Sequence, residues 1–194
     1  SHGRFLEVKN GYDYEEYHEV NFQSQFTMGY IGNFYGMAVP GNLFNAFSEL
    51  IEEGRLPRNS RIKIVGNSLK LDIPDKIASN VVQYEAVPHE EAIRISMTEV
   101  DVLLMVHKSG RKGVYSGKLF DYLATNKPIL ALYDPNDVVA PLLAETKAGF
   151  IVDEADKEGI KDMMMKCYRI WKNKEVLPRD WDKIRQYSRR NQIQ

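Results

Sequence analysis

The sequence predicts an α/β fold, a Rossmann-like parallel sheet of about six strands with helices on both faces. Two observations predict it. From Phe26 onward, short apolar segments alternate with longer amphipathic segments, which is the order of consecutive β-α-β units. The apolar runs are also short, as is typical of parallel strands that helices cover on both faces.

Each predicted strand is too short and too apolar to be an exposed helix. In chain order the strands are residues 26–31, 61–65, 81–84, 100–106, 128–132 and 149–152. Right-handed connections bring their carboxyl ends to one edge of the sheet, where ligands of open α/β sheets bind. The loops of interest are therefore 32–40, 85–87 and 107–116.

The amphipathic segments between the strands predict helices. They cover residues 41–53, 88–97, 117–125, 138–146 and 156–172, with a short helical turn at 74–78. Pro88 suits a first helical position, and Asn126 precedes the Lys127-Pro128 pair that ends a helix. The predicted globular domain spans residues 26–174, with residues 1–25 as a leading interdomain segment and residues 175–194 as a C-terminal tail helix.

Composition limits the classes of function. Lys and Arg total 26 against 27 for Asp and Glu, so the net charge of −1 gives no reason to expect nucleic acid as a partner. The single cysteine, Cys167, cannot form an internal disulfide, and no apolar run approaches the ~20 residues of a membrane span. We expect a cytoplasmic protein with no transmembrane segment. Neither His89 nor His107 has Cys, Asp or Glu at metal-ligand spacing, so no metal site is expected.

The most informative segment is residues 115–132, where a loop, a short helix and a buried strand are predicted in direct succession. Ser116 and Gly117 suit a helix N-terminus, where free N–H groups attract an anion. Lys118 adds a mobile positive charge, and Asp121 lies one turn into the helix, near the loop. This pattern predicts a site for a phosphate-bearing ligand.

Two further loops have chemistry of interest. Gly32 follows the first strand and lets the backbone approach a ligand, although residues 37–40 separate it from the helix, so the segment is not the dinucleotide fingerprint. Glycines that merely shape a long turn are the alternative. After the fourth strand, Lys108, Arg111 and Lys112 lie among glycines, which suits a phosphate-covering loop and a solvated connection equally. His107, at the end of that strand, is favoured over His89 as a functional histidine.

Together these segments resemble the C-terminal, nucleotide-sugar donor domain of GT-B-fold glycosyltransferases, in particular the retaining family-four enzymes (glycosyl transferases group one). Residues 7–13 resemble the entry from an N-terminal domain, and 26–32 resemble the first strand and its glycine turn. Residues 81–91 resemble the strand and loop that hold the nucleobase, and 115–132 is the most specific match.

The resemblance implies the residues that bind the donor. The loop before the last site helix contacts the diphosphate in that family, an acidic residue on the helix binds the ribose hydroxyls, and backbone groups after the third strand hold the base. When these roles are carried over to this chain and His107 is added, the predicted nucleotide-sugar-binding residues are Gly32, Asn33, Tyr84, Ala86, Val87, His107, Tyr115, Ser116, Gly117, Lys118 and Asp121. No catalytic residue is assigned.

The sequence departs from the family at three positions. Family members commonly have two glutamates here, whereas this chain has Gly113 at the first position and the shorter Asp121 at the second. Where many members have an arginine after the first-loop glycine, this chain has Asn33. Lys118 and Arg111 are the side chains expected to supply the missing positive charge.

The resemblance therefore predicts a donor domain that binds a nucleoside-diphosphate sugar, for transfer to an acceptor in polysaccharide or glycoconjugate synthesis. It implies retention of configuration, no cofactor besides the donor substrate and no metal. The acceptor would be bound mainly by an N-terminal domain, toward which the tail helix would pack, and this fragment alone would be inactive. Peripheral association with the inner face of a membrane fits the family. A GT-B-fold sugar-nucleotide epimerase and a non-catalytic nucleotide-binding module are the alternatives.

Overall fold

A single parallel sheet forms the centre of the molecule. The computed structural model describes residues 16–34, 40–107 and 117–193. Its strands are β1 (Thr27–Ile31), β2 (Arg61–Val65), β3 (Val81–Tyr84), β4 (Val102–Val106), β5 (Ile129–Leu132) and β6 (Gly149–Val152). The spatial order is β3-β2-β1-β4-β5-β6, and each neighbouring pair is parallel. The predicted fold class is confirmed.

Helices cover both faces of this sheet. They are α1 (Gly41–Glu52), α2 (His89–Thr98), α3 (Gly117–Leu123), α4 (Val139–Thr146), α5 (Lys157–Lys172) and α6 (Trp181–Ile193), with a 3₁₀ helix at Asp75–Asn80. Pro88 is the residue before α2 and not its first helical residue. The tail is helical only from Trp181, because residues 174–180 make contacts of their own with the domain.

Side chains of each strand alternate between two hydrophobic cores. One core lies against α1 and α5 and contains Met28, Ile64 and Leu104. The other lies under α2, α3, α4 and α6 and contains Ile31, Val65, Leu103, Met105 and Ile129. Because helices cover both faces, β1, β4 and β5 at the centre of the sheet are buried along their whole length. β2 and β3, toward one edge, also carry the polar residues Arg61, Lys63 and Gln83.

The start of β4 differs from the prediction by two residues. The prediction placed residues 100 and 101 in the strand, but β4 begins at Val102, although the backbone N–H of Asp101 still donates to Thr27 O at 2.8 Å. The Asp101 carboxylate accepts hydrogen bonds from the backbone N–H groups of Gln23 (2.8 Å) and Thr27 (2.9 Å). Burial raises the pKa of this carboxyl to about 6, although both hydrogen bonds favour the charged form. Asp101 thus fastens the leading segment to the amino edge of the sheet.

The leading segment and α6 contact each other. The His18 ring stacks on the Trp181 ring at 4.0 Å between centroids, and Arg185 pairs with Glu16 at 2.8 Å. Both flanks therefore pack on this domain, and packing of the tail toward a further domain stays a prediction. Among the described helices, none has the length and apolar character needed to cross a membrane.

Candidate functional site

A cleft of about 590 Å³ opens at the carboxyl edge of the sheet. It lies beside β1, where the strand order reverses between β1 and β4, and such a reversal is where open α/β sheets bind ligands. Its size falls in the ~300–1,000 Å³ range of small-molecule sites. The lining residues are Ile31, Gly32, Asn33, Val65, Gly66, Ser68, Ala86, Val87, His89, Ala92, Ile93, Ser96, Lys118, Asp121 and Tyr122.

Backbone from three successive strand ends converges at the mouth of the cleft. The N–H of Gly32 donates to Val65 O at 2.7 Å, and the N–H of Gly66 donates to Tyr84 O at 2.9 Å. A Cβ on Gly66 would lie 3.6 Å from the Cα of Ala86. Gly32 has a φ of +139°, a conformation that side-chain-bearing residues rarely adopt. The ends of β1, β2 and β3 therefore form one continuous backbone surface.

Asn33 joins the first two of these strand ends. Its Nδ2 donates to Ser68 Oγ at 2.9 Å, and its Oδ1 accepts from the backbone N–H of Ser68 at 3.3 Å. Asn33 thus ties the loop after β1 to the loop after β2. Asn33 therefore has a structural role, at a position where many members of the family that the sequence resembles have an arginine.

Lys118 brings a positive charge onto this backbone surface. A Cβ built on Gly32 would lie only 2.5 Å from Lys118 Nζ, so the ammonium group rests directly against Gly32. The same Nζ lies 4.0 Å from the centroid of the Tyr30 ring, which itself stacks on Phe34 at 3.8 Å. A cation over an aromatic face is attracted by ~0.5–2 kcal/mol. Burial lowers the pKa of Lys118 to about 8, while the charge of Asp121 acts to raise it.

Two neighbouring residues of α3 complete this side of the cleft. Asp121 lies one turn after Lys118 and lines the same space. The Tyr122 hydroxyl accepts a hydrogen bond from the backbone N–H of Ile31 at 3.4 Å, and burial raises the pKa of the phenol well above its usual range. Tyr122 therefore connects α3 to the last residue of β1 and sets the distance between them.

The opposite wall is formed by α2 and the loop before it. Ala86 and Val87 come from the loop, whereas Ala92 and Ile93 come from the helix. Ser96 also faces the cleft, but its hydroxyl donates to Ala92 O at 2.8 Å. Apolar carbon thus dominates this wall, which suits a flat ring better than a charged group.

The structure brings six of the predicted site residues into this cleft: Gly32, Asn33, Ala86, Val87, Lys118 and Asp121. Tyr84 lies at the end of the edge strand with 48% of its surface exposed, outside the lining. His107 follows the last residue of β4, with its ring 5.0 Å from that of Tyr133, and is also outside the lining, whereas His89 is part of it. Gly117 begins α3. Tyr115, Ser116, Arg111 and Gly113 fall outside the described residues, so their predicted roles stay predictions.

Sequence reasoning missed Gly66, Ser68 and Tyr122. A signal for the first two was present, since the loop after β2 leaves the same edge as the loops that were singled out. Tyr122 gave no such signal, because a tyrosine on the same short helix as Leu119, Phe120 and Leu123 is typical of core packing. Within the described residues, no three His, Cys, Asp or Glu side chains converge as a metal site would require.

Solved structures share this architecture at low sequence identity. The α,α-trehalose-phosphate synthase (UDP-forming) of Burkholderia xenovorans, solved with glucose-6-phosphate, matches with a TM-score of 0.57 and 11% identity over 87% of this chain and 41% of its own. An apo structure of OtsA matches with a TM-score of 0.56 and 13% identity over 88% of this chain and 42% of its own. The fold is that of the C-terminal domain of a GT-B glycosyltransferase.

A third GT-B-like match is weaker. The UDP-GlcNAc 2-epimerase of Methanocaldococcus jannaschii, in complex with UDP-GlcNAc and UDP, has a TM-score of 0.49 and 13% identity over 76% of this chain and 39% of its own. No protein-family profile and no curated protein sequence matches this chain. The chain spans about two fifths of the length of these three solved structures.

Proposed function

We propose that this chain is the donor-binding domain of a glycosyltransferase and that its cleft holds a nucleoside diphosphate sugar. The observation that carries the proposal is the position of Lys118 Nζ against Gly32, at the strand-order reversal of a GT-B C-terminal fold. A partly buried ammonium group over bare backbone favours a compact anion such as a phosphate.

The chemistry of the walls suggests how the donor lies. The apolar wall of Ala86, Val87 and Ile93 would take the nucleobase, with backbone groups near Ala86 available to its edge. Asp121, across the cleft, would accept hydrogen bonds from the ribose hydroxyls. Lys118 would then meet the diphosphate beside Gly32. The order base, ribose, diphosphate runs from α2 to α3 and toward β1.

The same arrangement suggests how transfer would be assisted. As the glycosyl bond breaks, negative charge develops on the departing nucleoside diphosphate, and Lys118 stabilises that charge. No cofactor besides the donor and no metal ion enters this proposal. The acceptor would be bound by another domain of a longer protein, so the chain alone would bind nucleotide without turning over.

Calorimetric titration of this chain with UDP, GDP and ADP tests the proposal. One nucleotide should bind in preference to the others, which also identifies the base. Asp121→Ala should weaken that binding about tenfold, because hydrogen bonds to a charged group contribute ~1.5–3 kcal/mol. Asp162→Ala is the matched control, since Asp162 is exposed on α5 and lies outside the cleft. Absence of binding by all three nucleotides would count against the donor site.

Nucleotide affinity should also depend on pH above neutrality. In the free protein the pKa of Lys118 is about 8, and a bound phosphate would raise it. The protonated form therefore binds more tightly, so affinity should be constant below that pKa and fall by up to about tenfold per pH unit above it. Titrations between about pH 7 and about pH 9.5, in buffers of different ionisation enthalpy, should also detect proton uptake on binding. A loss of affinity above that pKa that persists in Lys118→Ala, or a flat profile in the unmodified chain, would assign phosphate binding to other groups.

A further inference from the structure

We propose that Arg179 is a positioning residue that fixes α3 in the cleft, and that nucleotide affinity depends on it although it contacts no ligand. This inference rests on the proposed function. Arg179 lies in the connection between α5 and α6, remote in sequence from every predicted site residue. The sequence gives no hint of its role, because a single arginine between Pro178 and Asp180 is typical of a solvated connection.

The guanidinium of Arg179 is buried and binds four backbone carbonyls. Its Nη1 donates to Tyr122 O at 3.0 Å and to Leu123 O at 2.7 Å. Nη1 also donates to Thr125 O, and Nη2 donates to Lys127 O. The first two acceptors are the last residues of α3, whose carbonyls have no partner within a helix that ends there.

Charge adds to this geometry. The carbonyl end of a helix is negative, so a cation there is stabilising, most strongly where it is buried. Burial lowers the pKa of Arg179 to about 9, so the group is still charged at neutral pH. A helix of seven residues is too short to be stable alone. The position of α3 therefore depends on such external contacts.

The other end of the same helix carries the cleft residues. Lys118 and Asp121 lie within four residues of Tyr122, which corresponds to ~6 Å along the helix axis. Because α3 is short and rigid over this length, a shift at its C-terminus moves both side chains. Arg179 is thus placed to set the distance from Lys118 to Gly32.

Other contacts hold the turn after α3, so the specific role of Arg179 is to hold the end of the helix itself. The N–H of Tyr17 donates to Ala124 O at 2.8 Å, and Asn126 Nδ2 donates to His18 O at 2.7 Å. These contacts would keep the 124–126 turn on the domain when Arg179 is changed. They do not reach the carbonyl of Leu123, whereas the Tyr122 carbonyl also accepts from the N–H (3.1 Å) and Oγ1 (2.7 Å) of Thr125. Loss of Arg179 should therefore loosen the end of the helix rather than unfold the protein.

Arg179→Gln tests this inference, with two matched controls. Arg169→Gln removes an exposed guanidinium from α5, and Met164→Ala opens a cavity in the core on the other face of the sheet. Binding of the preferred nucleoside diphosphate is measured by calorimetry on the fully folded fraction of each variant, and amide hydrogen exchange follows α3. If Arg179 served only the stability of the fold, Arg179→Gln and Met164→Ala would weaken nucleotide binding equally whenever they lower the melting temperature equally.

The expected result is about tenfold weaker binding in Arg179→Gln and faster exchange confined to α3, with both controls within twofold of the unmodified chain. Lys118→Ala should then reduce nucleotide affinity less in the Arg179→Gln variant than in the unmodified chain, because loss of Arg179 has already displaced the lysine. Arg179→Lys, which keeps the charge and three donors, should be intermediate and serves if Arg179→Gln does not fold. Unchanged affinity in both Arg179 variants overturns the positioning role alone. No nucleotide binding by the unmodified chain overturns the proposed function, and the positioning role with it.

Discussion

Replacing Lys118 with alanine is expected to weaken nucleoside diphosphate binding by about ten- to hundredfold. The ammonium group lies against Gly32, where no other described cation lines the cleft. A charge-assisted hydrogen bond contributes ~1.5–3 kcal/mol, and each ~1.4 kcal/mol is a factor of ten in affinity. The lost charge should therefore dominate the effect on binding.

The free nucleoside distinguishes this role from general damage to the site. Binding of the nucleoside that lacks phosphate should be nearly the same in Lys118→Ala and in the unmodified chain, because the base and ribose walls are intact. Lys183→Ala is the control for net charge, since Lys183 is exposed on α6 and outside the cleft. Equal losses for nucleoside and nucleoside diphosphate would mean that Lys118 supports the cleft wall rather than a phosphate.

Among these variants, Gly149→Ala is expected to lower the free energy of unfolding most, by about 4 kcal/mol or more. Gly149 is the first residue of β6, and a Cβ there would lie 1.9 Å from the carbonyl oxygen of Ile129 on β5. Backbone oxygen in a ladder cannot move aside as a side chain can. Relief requires β6 to separate from β5, which breaks hydrogen bonds such as that from Ile129 N to Ala148 O at 3.0 Å.

Denaturant unfolding followed by circular dichroism measures this cost. Gly41→Ala is the matched control, because a Cβ on Gly41 meets nothing within 4 Å and the residue begins α1. That variant should be as stable as the unmodified chain or slightly more stable. A Gly149→Ala protein that unfolds at the same denaturant concentration as the Gly41→Ala protein would refute the close approach of β5 and β6.

The sequence by itself determined the fold class and the elements, within one or two residues at most boundaries. Strands covered on both faces are largely apolar, so β1, β4 and β5 each produced a short hydrophobic run that is visible without any contact information. The errors lie where tertiary contacts override local pattern. Asp101 lies just outside β4, and its carboxylate binds the backbone N–H groups of Gln23 in the leading segment and of Thr27 in β1, 78 and 74 residues earlier in the chain.

The candidate site divides in the same way. Glycine, lysine and aspartate near a predicted helix start marked Gly32, Lys118 and Asp121, since those residue types suit phosphate and ribose chemistry wherever they occur at a strand end. Only the tertiary structure placed Lys118 Nζ against Gly32 and brought Arg179 to the end of α3. Both contacts join segments more than 50 residues apart. Local sequence pattern carries no information about such distances, because packing of the whole sheet and its helices sets them.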